Sequence, residues 1–84
     1  KYDLLGLIIE DNDNEGVKII DISSDGEAYS NNIRKNDIIN EVNRIEIKNS
    51  EDYYNEIKKY SKGDVIMLRI VRNGNNLYEA FEIK

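Results

Sequence analysis

Leu4-Leu5-Gly6-Leu7-Ile8-Ile9, followed at once by the acidic, asparagine-rich run Glu10 to Glu15, is the stretch on which the chain turns. An apolar run with one glycine near its front reads as a loop feeding a strand, because glycine lets the backbone make close or unusual turns. Glycine framed by bulky apolar residues is a poor choice for a plain strand interior. The backbone at Gly6 is therefore expected to do more than pack.

Around that stretch, 84 residues suffice for one domain, near the lower size at which a single core holds a fold unaided. Hydrophobic residues make up 39% and charged residues 35%, a balance suited to a globular module rather than a disordered tail. No apolar run approaches the roughly 20 residues needed to span a bilayer, so direct membrane insertion is not expected. The first residues lack the layout of a signal peptide. Residues 1–84 are thus expected to be one domain excised from a longer protein.

The chain has no cysteine and no histidine. Disulfide scaffolds, thiolate metal sites, His-based zinc sites and Ser-His-Asp or Cys-His nucleophile systems are excluded, and no cofactor is expected. A net charge of −5 argues against nucleic acid as a partner. The charge is uneven: residues 1–32 hold eight acids and two lysines, whereas residues 33–84 hold nine acids and ten bases. The acidic end fits solvated loops, or a weak preference for basic partners.

In chain order, Leu7 to Asp11 reads as a strand, followed by an Asx- and Gly-rich turn and a second strand from Gly16 to Ile22. Ser23-Ser24-Asp25-Gly26 is a turn, and Glu27 to Asn32 has room for one or two helical turns. Asn32 and Asn36 are candidates for left-handed backbone. Asp37 to Asn43 and Ile45 to Ile47 form a third and fourth strand. Ser50 is the expected N-cap of a helix over 51–60, with Tyr53, Ile57 and Tyr60 on one face and Gly63 closing it. Val65 to Val71 and Leu77 to Ile83 flank the hairpin signal Asn73-Gly74. The expected order is β-β-α-β-β-α-β-β.

Few residues suggest chemistry. Asp11, Asp13, Glu15 and Gly16 imitate the start of a calcium loop, but its twelfth position would be Ile22 and no helices flank it. No metal site is expected. Glu51 with Asp52, and Asp37 with Glu41, read as caps or solvated strand faces rather than acid/base pairs. The serines lack a visible base, so no catalytic residue is assigned. Lys58, Lys59 and Lys62 suit the end of a helix, or an acidic partner. Tyr54 lies one helical step off the core face and fits either edge packing or a groove.

Taken together, the element order and several motifs resemble a PDZ domain over nearly the whole chain, and more narrowly the PDZ modules of bacterial HtrA/Do-type serine proteases. Leu4-Leu5-Gly6-Leu7 resembles the family's carboxylate-binding loop. Asp25-Gly26-Glu27-Ala28 through Ile33-Arg34-Lys35-Asn36-Asp37-Ile38-Ile39 resembles its small-helix and G-D-x-I segment, and Val42-Asn43 its V-N-G. Ser50-Glu51-Asp52 and Lys62-Gly63-Asp64 frame the second helix in the family manner. Val71-Arg72-Asn73-Gly74 with Tyr78-Glu79-Ala80-Phe81 resembles the closing hairpin of Do-type repeats, which favours the C-terminal module of such a protein. The family's helix proline is Glu27 here, and three of its glycines are Asn32, Asn36 and Arg44.

The resemblance implies an α+β fold: a partly open antiparallel β-barrel or sandwich of five to six strands with one short and one longer helix. It implies a peptide-binding module without catalysis of its own. The backbone N–H groups of Leu5, Gly6 and Leu7 would form a nest for a peptide's terminal carboxylate. The peptide would add as a strand beside Leu7, Ile8 and Ile9. Leu5, Leu7, Ile9 and Ile57 would line an apolar pocket, and Ser50, Tyr54 and Lys58 the helical wall. The implied partners are C-terminal or extended hydrophobic peptides, or the protease domain and other PDZ domains of a parent oligomer. A periplasmic or cell-envelope setting follows from the resemblance alone. The alternatives are an assembly module with a closed groove, or a PDZ domain of a site-2 metalloprotease or C-terminal processing protease.

Overall fold

The computed structural model describes residues 1–84. Six strands and two helices follow the expected order: β1 (Leu7–Asp11), β2 (Val17–Ile22), α1 (Glu27–Ser30), β3 (Ile38–Val42), β4 (Ile45–Glu46), α2 (Ser50–Ile57), β5 (Val65–Arg72) and β6 (Asn75–Glu82). The strands form one antiparallel sheet in the order β1-β2-β3-β5-β6, with β4 paired to β3. Its two end strands do not pair with each other, so the sheet curls without closing. This is the partly open six-stranded α+β architecture that the sequence led us to expect.

Alternation explains the core. Leu7 and Ile9 of β1, Val17 and Ile19 of β2, and Ile66, Leu68 and Ile70 of β5 point inward at period two and are buried. Tyr53 and Ile57 bring α2 onto that layer, and Ala28 and Ile33 bring α1. Tyr60, the third residue of the expected helical face, is only partly buried against it.

The turns solve their geometry with asparagine. Asn32 and Asn36 adopt φ of 69° and 77°, as expected where the resemblance called for glycine. Asn73-Gly74, at φ 52° and 79°, turns β5 into β6 with Arg72 facing Asn75. At the β3–β4 turn Arg44 itself is left-handed, at φ 70°. Asn43 beside it exchanges two bonds with Met67: its backbone N–H donates to the Met67 carbonyl and its side chain accepts the Met67 N–H, both at 2.7 Å.

Several boundaries shift by a residue or two, β6 among them, and the end of α2 shifts most. The N-cap of α2 is Asn49, whose Oδ1 accepts the Asp52 N–H at 2.9 Å, and the helix runs 50–57 rather than 51–60. Asp52 returns the bond one residue upstream by accepting the Lys48 N–H, a variant of the reciprocal capping box. Gly63 does not close the helix. It lies beyond further turns, where its N–H donates to the Ile83 carbonyl.

A strand edge, a helix and a filled nest

β1 pairs only with β2, so its other edge is unpaired within the sheet. α2 packs beside that strand. Two short hydrogen bonds staple the elements together. At the far end of β1, Asp11 Oδ1 accepts the Ser50 N–H at 2.6 Å. At the near end, the Tyr53 hydroxyl donates to Asp3 Oδ2, also at 2.6 Å.

The loop before β1 is rigidly placed. Gly6 sits at φ 86°, a conformation that L side chains rarely adopt, and a Cβ there would lie 2.9 Å from the Gly26 Cα. This close approach of two backbones answers the question raised by the ill-placed glycine. The loop's carbonyls are tied to α1 and to the turn before it: Leu5 O accepts the Ala28 N–H, and Gly6 O accepts the Ser23 N–H.

The N–H groups of this loop converge as expected, but they do not stand free. Asp3 Oδ1 accepts from Leu5 N–H at 2.9 Å and from Leu7 N–H at 3.0 Å. The Gly6 N–H donates to the Asp3 carbonyl, and the Asp3 N–H donates to Leu7 O. Every donor assigned to a peptide carboxylate is therefore bonded to Asp3, an arrangement typical of Asx-turn chemistry. No lysine or arginine lies within ion-pair distance of this carboxylate. Burial, with the Asp3 charge as the next cause, pushes the Tyr53 hydroxyl well above the ordinary tyrosine range, so it remains a protonated donor.

The expected pocket is filled by its own lining. Leu5 and Leu7 are fully buried, and Ile9 and Ile57 nearly so. Of the wall residues, Ser50 is half-buried at the Asp11 staple, while Tyr54 and Lys58 are exposed and Ile8 is half-buried. Tyr54 meets Tyr53 edge to face, with centroids 5.2 Å apart. Burial, with the Asp3 charge as the next cause, raises its hydroxyl pKa as well. The three surface depressions lie elsewhere. The largest, about 530 Å³, is lined by Glu41, Arg44, Met67 and Tyr78, and neither of the others touches β1 or α2. Asp3 was absent from the sequence-based site; an aspartate directly ahead of the apolar-Gly loop is the signal that could have found it.

A family model described as the PDZ domain matches residues 4–83. The chain belongs to the PDZ family. No curated protein matches it in sequence. Among solved structures, the serine endoprotease from Yersinia pestis superposes with a TM-score of 0.81 at 25% identity, over 95% of this chain and 28% of that one. The HtrA-type protease AlgW with decapeptide gives 0.83 at 19%, over 93% and 27%. The HtrA3 PDZ domain bound to the phage-derived ligand FGRWV gives 0.79 at 15%, over 93% and 81%. The PDZ chain thus spans little more than a quarter of the protease chains it resembles. As a PDZ domain it is a non-catalytic module.

Proposed function

We propose that this PDZ domain binds an extended polypeptide segment by strand addition along β1, in the groove against α2, as part of an HtrA-type serine protease of the cell envelope. The observation that carries this is the edge of β1, unpaired in the sheet and flanked by a helix. Leu7 already uses its N–H and C=O on that side, for Asp3. The strand's period turns the Ile9 and Asp11 backbone the same way. An added strand would pair there, with Ile8, Tyr54, Ile57 and Lys58 offering side-chain contacts and Ser50 closing the far end. Peptides named with AlgW and with the HtrA3 domain support the assignment. Substrate capture within protein quality control is the role we assign to such a segment.

A second proposal is favoured by the full burial of Leu5, Leu7 and Tyr53. The domain would then serve contacts with the protease domain or other PDZ domains of a parent oligomer, its groove staying shut. Amide shift mapping with a library of hydrophobic peptides separates the two. Shifts at Ile8, Ile9, Tyr54 and Ile57 are expected for strand addition. Silence there across the library, with shifts instead on mixing with the protease domain, would favour assembly.

A further inference from the structure

The Asp3 arm reproduces, within the chain, the bonds that a bound segment would make. Its carboxylate occupies the Leu5 and Leu7 N–H groups at 2.9 and 3.0 Å, its carbonyl takes the Gly6 N–H, and its own N–H donates to Leu7 O. The second carboxylate oxygen is held at 2.6 Å by the hydroxyl of Tyr53, whose ring is fully buried. That hydroxyl fixes the side chain from the core side, so the contact is more than a local turn. A second carboxylate at this nest would face a like charge and find no free donor, and no cation stands within ion-pair distance of Asp3 to offset the two. A segment that continues past the nest brings no terminal charge and needs only the β1 edge from Ile9 onward.

We propose that Asp3 is a specificity-determining residue: its carboxylate holds the nest in place of a terminal carboxylate, so the groove takes internal extended segments and rejects free carboxy termini. The proposal rests on the strand-addition function stated above. It names the class of segment that function would take.

The test uses the whole chain, its Asp3→Ala and Asp3→Asn variants, and one hydrophobic peptide made both as the free acid and as the amide. Hydrogen-exchange protection of β5 and β6 checks that each variant folds. The unaltered protein should bind the amide at least as tightly as the acid. Asp3→Ala should move the preference toward the acid by about tenfold or more, whereas Asp3→Asn, which still offers an acceptor to Leu5 and Leu7, should stay closer to the parent. Tyr53→Phe, which frees one side of Asp3, should move it partway. A tenfold preference for the acid by the unaltered protein would overturn the proposal and leave strand addition standing.

Acetate alone supplies a readout that needs no peptide. It should shift the Leu5 and Leu7 amides saturably in Asp3→Ala and leave them unmoved in the parent. Acetate binding by the parent, or none by a folded Asp3→Ala, would sink the assignment of Asp3 to the nest. If neither peptide binds any of the proteins, strand addition falls, and with it the segment preference. The acetate result then decides separately whether Asp3 occupies the nest.

Discussion

Asp37 and Asp3 are both withdrawn from full solvation, yet the chain holds them by different means. Asp37 is almost completely buried and receives a two-pronged bond from Arg72, Nε and a terminal nitrogen each at 2.8 Å, plus the Arg34 N–H. The same guanidinium reaches the Asn32 carbonyl and is driven further toward its charged form by the bond to Asp37. That is a charge neutralised by a charge, locking β5 to the turn before β3. Asp3 has only neutral donors: two backbone N–H groups and one phenol. A buried ion pair is costly to break because the surviving charge is stranded. A carboxylate on neutral donors can leave for water far more readily. One site reads as a rivet, the other as an occupant.

Arg72→Ala should have the largest effect, destabilising the domain by about 3 kcal/mol by stranding Asp37, as read by urea denaturation. The Leu5 and Leu7 amide shifts should stay in place. A loss below about 1 kcal/mol would mean that the Asp37 site is no stronger than a surface pair. Gly6→Ala combines a positive φ with a Cβ placed against Gly26 and should cost about 2 kcal/mol. Here the damage should fall on the nest, visible as altered Leu5 and Leu7 amides with the Arg72 side-chain resonances unchanged.

Tyr53→Phe removes a donor from a carboxylate while keeping the ring, and should cost about 1.5 kcal/mol. The same hydroxyl gives an alkaline signature. Its folded pKa lies above the ordinary 10.0, so its stabilisation is complete below that pH and declines as pH rises from there toward the folded value. Tyr53→Phe should flatten this alkaline decline, and an unchanged slope would refute the bond. The smallest effect belongs to Asp11. Its bonds to Ser50 hold its pKa below the ordinary 3.8, so its contribution is full above that value and fades as pH falls through the lowered one. The Ser50 amide shift should follow this titration, and Asp11→Asn should abolish the step.

Much of this was legible in the residues. The apolar run after Gly6, alternation in Leu77 to Ile83, the Asn73-Gly74 signal, and asparagines standing where glycines were wanted led to the right strands and turns, because those are local properties. The helix cap moved by one residue because Asn49 and Ser50 are both competent caps, and only the bond to Asp52 chooses between them. The part of Asp3 at the groove was not legible, for a less local reason. Which acceptor fills Leu5 and Leu7 depends on where the preceding residues fold back, and the phenol that completes the contact comes from 50 residues away. No spacing rule carries that information.

The pairing of Gly6 with Gly26 has a kinetic consequence. The loop's carbonyls are fastened to Ser23 and Ala28, and its Cα rests against another backbone. The donors therefore form a fixed frame, and Asp3 is the residue bonded across it. Vacating the frame asks for motion of one short segment rather than rearrangement of the sheet. Exchange at this site belongs on the nanosecond-to-microsecond scale of loops, and not on the slower scale of whole elements moving.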